Sequence, residues 1–344
     1  MKLRLLGDMT PRTFLRRHWQ KRPLLVRDAL PQFRGVVDWR LLRALAARDD
    51  VESRIVERRR NRWETLHGPF KKASLRKTNA TLLVSGVNLH VRGADALLRL
   101  FSFVPQARLD DVMVSVATPG GGVGPHVDSY DVFLLQGPGR RKWTVWHSKR
   151  KAFEWVAEPG DLLYLPPGWK HDGVALDPCF TYSIGFRAPR GAELAAAFLD
   201  WLHERGLPDA RYRDPGLAPA RNSAAIPPEM ISYCEKTLQA IKWGRRDVST
   251  FLGEFLTQPK AHVVFRPRRA RGARLRLDEK SQLLYSGSDF FLNGDSVAVP
   301  ARARAAMREL ADRRVINVTR LAALAGLIGQ WRRAGYLHLE QRDE

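Results

Sequence analysis

A histidine and an aspartate stand two residues apart in GPHVDSYDVF, residues 124–133. Read as the start of a β-strand, this spacing sends His126 and Asp128 to one face, because strand side chains alternate. Charged groups are rarely buried on such a face unless they are paired or bind metal. The pair is therefore half of a metal clamp or the polar end of an ordinary strand. GDLLYLPPGWKHDG, residues 160–173, weighs toward the clamp: it reads as a strand, a Pro-Pro-Gly turn and then His171. In a small double-stranded barrel a late turn of this kind can swing one more histidine toward an early strand. Two imidazoles and one carboxylate suit Fe(II) and form the facial set of non-haem oxygenases, which leaves coordination positions open. The absence of thiolates argues against a structural zinc site.

The spacing around these residues is specific. The glycines of PGGGVGP, directly before His126, permit a tight turn and close backbone approach. Gly160 to His171 follows G-x5-P-x-G-x2-H, the second half of a cupin-type signature. Gly120 to Asp128 matches the first half, with aspartate in place of a second histidine. GPGRRKW adds a cation. With a four-residue hairpin loop at 137–140, Arg141 pairs opposite Gln136, which shares the face of His126 and Asp128 by even spacing. Arg141 then enters the same cavity and can clamp a carboxylate bidentately. A dicarboxylate such as 2-oxoglutarate needs that partner at its distal end. A three-residue loop would turn Arg140 inward instead, and the bland alternative is a surface Arg-Arg-Lys run.

The elements that must position these groups follow from the rest of the chain. TPRTFLRRHWQ starts a helix, with Thr10 as N-cap and Pro11 in the first position. From about 51 to 190, short β-like runs alternate with Gly/Pro turns around one helix, GADALLRLFSFV. That pattern indicates a sandwich, barrel or jelly roll. Helical periodicity returns from 191 to about 258. Beyond it lies an Arg-rich lead-in, a hairpin turning at Asn293-Gly294, two helices and a terminal strand, a winged-helix-like order. The expected domains are 1–190, 191–258 and 259–344.

Composition bounds the function. With 344 residues and 44% hydrophobic residues, the chain can bury a core of two or three domains. It has no run of about 18 apolar residues, and its first residues lack a signal peptide's apolar region, so a cytoplasmic protein without a membrane span is expected. Cys179 and Cys234 form no redox or metal motif. The formal charge of +22 favours nucleic acid or ribonucleoprotein partners, or reflects arginine-heavy solvated faces.

GGGVGPHVDSYDVFLLQGPGRRKW, EPGDLLYLPPGWKHDG and YSIGFRAP closely resemble the bacterial ribosomal oxygenases. FLRRHWQKRPLLVRDAL, HGPF and RLDDVMVSV extend the resemblance over roughly the first 260 residues. It implies a mainly β fold with added helices: a double-stranded β-helix (cupin/JmjC jelly roll), a helical dimerisation region and a winged-helix-like C-terminal domain. It implies a homodimer that couples oxidative decarboxylation of 2-oxoglutarate, with Fe(II) and O2, to hydroxylation of an arginine β-carbon. The implied target is the sixteenth protein of the large ribosomal subunit, a basic protein. His126, Asp128 and His171 fall on the iron ligands and Arg141 on the residue binding the distal carboxylate. Ser115 and Ser183 flank the pocket, Ser115 toward 2-oxoglutarate and Ser183 toward substrate.

A guanidinium has only donors, so arginine recognition needs an acceptor. Asp110 or Asp111 in LDDVM is the expected partner, with Tyr130 nearby; the alternative is that these aspartates cap a turn or pair with local arginines. The chain departs from the family pattern in the Asp128–His171 span, which is shorter and so bears on the pocket rim. Rival readings are a JmjC oxygenase acting on histidine or asparagine, a demethylase, or a nucleic-acid-binding cupin without turnover. Arg266 to Arg276 could contact ribosomal RNA or be solvated.

Overall fold

The computed structural model describes residues 4–60, 62–147 and 150–341. The chain forms two compact units. One comprises the residues up to Ala188, Pro259–Ser281 and Ala301 onward; the other comprises Pro189–Gln258 and Gln282–Pro300.

The first unit is built on β-strands whose sequences are apolar on one or both faces. They are β1 (Leu24–Val26), β2 (Ser53–Arg59), β3 (Arg62–His67), β4 (Ala80–Val84), β5 (Leu109–Ala117), β6 (Val132–Gln136), β7 (Arg141–His147), β8 (Arg150–Ala157), β9 (Leu162–Leu165), β10 (Lys170–Ala175) and β11 (Cys179–Phe186). All five residues of β4 and of β6 are buried, as strands covered on both faces require. The larger sheet has the order β1-β9-β6-β11-β5-β4-β2-β3, and the smaller has β10-β7-β8. This is the expected double-stranded β-helix.

Helices pack onto the core of these strands. α1 (Pro11–Arg17) starts as the sequence suggests, with Thr10 accepting from the Thr13 N–H at 3.2 Å. α2 (Trp39–Ala46) is capped by Asp38, and α3 (Arg92–Arg99) follows β4. Phe14 of α1 is fully buried among Phe103, Phe133 and Tyr164. The Tyr164 hydroxyl donates to Asp131 at 2.6 Å and accepts from the Gln20 N–H at 2.8 Å. Burial, reinforced by the Asp131 carboxylate, pushes the Tyr164 pKa up, so its proton stays in that bond. Asp131 itself is wholly buried, which fixes the chain three residues after Asp128.

Two sequence expectations are corrected here. The His126–Asp128 segment is not the start of a regular strand. It is a loop before β6 that touches the sheet through one isolated bridge between His126 and His171. Nor do β6 and β7 form a hairpin, because they lie in different sheets. Arg141 therefore pairs with Ala175 and Ala157 rather than opposite Gln136. The Gln136 amide turns to the carbonyls of Gly139 and Phe180, at 3.0 and 2.9 Å. Gly137–Arg140 is a connection between sheets, a possibility that hairpin arithmetic does not contain.

The same unit carries β12 (Arg274–Leu277), with β16 (Val315–Asn317) and β17 (Leu337–Glu340) on its two sides, and the helices α7 (Arg304–Arg313) and α8 (Ala325–Ala334). Arg314, buried with a φ of 60°, ends α7 and donates to the carbonyls of Ser281 and Asp278 at 2.9 and 2.7 Å.

The second unit holds α4 (Gly191–Glu204), α5 (Pro228–Ala240) and α6 (Arg245–Thr257), with the sheet β13 (Leu283–Ser286), β14 (Asp289–Leu292) and β15 (Asp295–Val297). Asn293 and Gly294, with φ of 53° and 98°, make the expected two-residue turn. A Cβ at Gly253 would lie 2.2 Å from the Phe291 ring, so glycine lets α6 seat on that sheet. The hairpin expected with residues 259–344 thus packs in one unit with the helices of 189–258.

Candidate active site

Backbone geometry brings the three metal-type side chains together. His126 and His171 exchange hydrogen bonds across their bridge, at 3.0 and 2.9 Å. The Asp128 carbonyl accepts from the Gly168 N–H at 2.9 Å, tying the loop to the Pro-Pro-Gly turn. Gly124, at φ 83°, makes the entry turn; a Cβ there would meet the Trp63 indole nitrogen at 2.6 Å.

The side chains converge. One ligand atom from each of His126, Asp128 and His171 lies within 4.8 Å of the others. Asp128 oxygens stand 3.9 Å from His126 Nε2 and 3.7 Å from His171 Nε2. Each ring's Nδ1 faces a backbone carbonyl, that of Gly124 at 2.9 Å and that of Trp169 at 3.0 Å. A carbonyl only accepts, so Nδ1 carries the proton and the Nε2 lone pairs face Asp128. Burial holds the His171 pKa below its usual value, which keeps the imidazole neutral and able to ligate.

These residues open onto a cavity of about 590 Å³. All nine residues singled out in the sequence line it: Asp110, Asp111, Ser115, His126, Asp128, Tyr130, Arg141, His171 and Ser183. Burial orders them. Arg141 and Ser115 are each 4% exposed, whereas Tyr130 is 41% exposed at the mouth. Arg141 Nε has no hydrogen-bond partner, and an Arg141 terminal nitrogen has only the Cys179 sulfur, at 3.8 Å. A buried guanidinium whose Nε lacks a partner and whose other contacts are a sulfur and the Trp143 ring is costly, so the cavity suits an anionic ligand.

The mouth sets acids against cations. Asp110 pairs with Lys260 at 3.0 Å and Arg187 at 3.6 Å. Asp111 accepts from the Gly86 N–H at 2.8 Å, and burial raises its pKa against the pull of Lys260. Asp110 thus pairs with two cations distant in sequence and Asp111 takes a backbone N–H, both inside the cavity. Burial, aided by the charges of Asp128 and Asp111, pushes Tyr130 up to about 12, so it remains a donor.

Among the polar lining residues that the sequence did not single out are Thr81, Glu52 and Lys260. Thr81, whose buried hydroxyl has no partner, sits on the inward register of β4, which strand alternation could have exposed. Glu52 and Lys260 lie outside strands and carry no periodic signal.

The JmjC domain model matches residues 96–153 and 147–194, and a ROXA-like winged helix model matches 238–338. Ribosomal protein uL16 3-hydroxylase of Escherichia coli is 38% identical over 273 residues, 74% of this chain and 73% of that protein. The chain belongs to the ribosomal oxygenase family. A structure of YcfD, a ribosomal oxygenase from Escherichia coli, superposes with a TM-score of 0.84 at 33% identity, covering 97% of this chain and 98% of that one. A second YcfD structure, in complex with cobalt and 2-oxoglutarate, gives 0.83 at 32% identity over 96% and 98%. Both span the whole architecture of this family member, β-helix core and C-terminal region alike.

Proposed function

We propose that the protein is a 2-oxoglutarate- and Fe(II)-dependent oxygenase that hydroxylates the β-carbon of an arginine in large-subunit ribosomal protein uL16. The observation that carries this reading is the buried guanidinium of Arg141, its Nε without a partner, in the same cavity as the His126, Asp128 and His171 cluster. The relatives' names and the cobalt–2-oxoglutarate complex of YcfD support it.

In this reading His126, Asp128 and His171 hold the metal, whose nitrogen and oxygen donors suit Fe(II). When bound, the iron supplies the O2-dependent oxidation that couples 2-oxoglutarate decarboxylation to hydroxylation. The chain's residues do the positioning. Arg141 takes the distal carboxylate of 2-oxoglutarate, with the buried hydroxyls of Ser115 and Thr81 as further partners. The Nδ1–carbonyl bonds of both histidines fix ring orientation, and the buried β-helix walls exclude water. At the mouth, Asp110 and Asp111 receive the substrate guanidinium, with Tyr130 and Ser183 beside them. Lys260 and Arg187 both face one oxygen of Asp110, Oδ1, so they share its charge and leave its other oxygen to the substrate. Residues 191–258 serve as the dimerisation region of a homodimer, residues 259–344 as the winged-helix-like part, and the enzyme works in the cytoplasm on its ribosomal target.

The test is incubation with Fe(II), 2-oxoglutarate, O2 and the organism's ribosomal proteins, followed by mass spectrometry. A one-oxygen gain on an arginine of uL16, absent with His126→Ala, is the expected result. Succinate without that gain would reject the target but keep the oxygenase, and neither product would favour a binding module.

A further inference from the structure

A second cavity, of about 660 Å³, lies away from the catalytic cluster and shares no lining residue with the first. Its walls come from α2, the chain at 71–75 after β3, and the end of β5. Arg43, Lys71 and Lys72 are its charged residues, and no aspartate or glutamate lines it. Its floor is apolar, with half-buried Trp39 and Leu75 beside Val116. The catalytic cavity, by contrast, sets four acids, Glu52, Asp110, Asp111 and Asp128, beside its three cations, Arg54, Arg141 and Lys260.

We propose that this cationic groove is a docking site for an RNA strand. Like charges gathered around one concavity repel each other within a Debye length of about 8–10 Å. They also focus field lines, which attracts an anion into the groove. Three cations over an apolar, partly aromatic floor match phosphates along a rim with sugar and base against the floor. In sequence, the two lysines of the groove belong to a longer basic stretch. Residues 57–77 contain eight Lys or Arg and two Glu, and both glutamates pair with Arg59. A run of that length fits a polyanion better than a single phosphate or a small anionic metabolite. The inference rests on the proposed function only for the source of the RNA: a ribosomal target carries RNA with it. It would also explain how a chain of charge +22 meets a basic substrate, because the RNA supplies the attraction that the substrate protein does not.

The experiment is fluorescence anisotropy of the full-length protein with a labelled single-stranded 12-mer of uridylate, from 50 to 200 mM KCl. Affinity is expected to fall log-linearly with salt, by a slope of about 0.7 per phosphate contact. The triple variant Arg43→Ala, Lys71→Ala, Lys72→Ala should bind at least about tenfold more weakly and show a slope smaller by about 2. Arg269→Ala with Arg271→Ala, in the other Arg-rich stretch, should bind like the wild type. Unchanged affinity in the triple variant overturns the proposal. So does a polyglutamate peptide of equal charge that binds as tightly as the oligonucleotide, which would mark an acidic-protein surface. Hydroxylation of a short arginine peptide should be unaffected by the triple variant. If the wild type hydroxylates nothing but binds RNA through this groove, the proposed function fails while this inference stands.

Discussion

Arg141 and Lys260 are both cations of the catalytic cavity, yet their surroundings give them opposite tasks. Arg141 is buried and its Nε lacks a partner, so its charge awaits a ligand. A charge-assisted hydrogen bond contributes roughly 1.5–3 kcal/mol. Arg141→Met should therefore raise the KM for 2-oxoglutarate by about 10- to 150-fold, read from succinate formation at varied co-substrate. An unchanged KM would remove Arg141 from the co-substrate site. Lys260 already has its partner, Asp110 at 3.0 Å, and stands exposed at the mouth. Its ammonium shares the Asp110 charge with an incoming guanidinium and weakens that attraction. Lys260→Met, which keeps the length and removes the charge, should lower the KM for an arginine peptide several-fold with little change in kcat. A raised KM would instead make Lys260 a substrate-binding group. Asp110→Asn should move the same KM upward, so the pair of variants separates competition from contact.

At the scale of elements, the loop before β6 matters more than any strand. Its glycines were read as a tight turn, and Gly124 is one, with φ 83° and the Trp63 indole 2.6 Å from where a Cβ would be. Gly124→Ala meets both a left-handed backbone and that ring. It should shift His126 off the cluster, so bound metal per chain falls well below that of the wild type while the β-helix stays folded by circular dichroism. Full metal occupancy would show that the loop can yield. Much of this region was legible because its signals are local. Glycine and proline spacing marks the turns around His126 and His171, continuous apolar runs mark β4 and β6, and Thr10 and Asn293-Gly294 announce a cap and a hairpin. What was not legible depends on the sheet a strand joins. The Gln136–Arg141 pairing failed because the connection crosses from one sheet to the other, and nothing in GPGR distinguishes a crossover from a hairpin loop. Arg141 nevertheless reaches the cavity, since inward positions of both sheets converge on it. The HxD strand failed because one backbone bridge, not a ladder, aims these side chains. Lys260 was invisible because it is brought to the mouth by tertiary contact alone.

For the whole molecule, the apolar surface of the second unit is harder to reconcile with a monomer than the charge is. α5 buries none of its residues. Ile231, Leu238 and Trp243 are 50%, 61% and 59% exposed, and Leu199, Leu217 and Ile226 of the same unit are exposed as well. Single exposed apolar residues are ordinary, but so many large ones in a unit of this size mark an interaction surface. The segment expected to dimerise is the one that carries them. A second copy would bury this surface without adding unlike charge, and the same-sign repulsion between two strongly basic chains would be screened at physiological salt. The wild-type protein should sediment as a dimer at micromolar concentration. Ile231→Glu with Leu238→Glu, which places carboxylates where an apolar contact is needed, should sediment as a folded monomer, checked by circular dichroism. A wild-type monomer would reject the homodimer. A double variant that remains dimeric would move the interface off α5 to another surface of the protein.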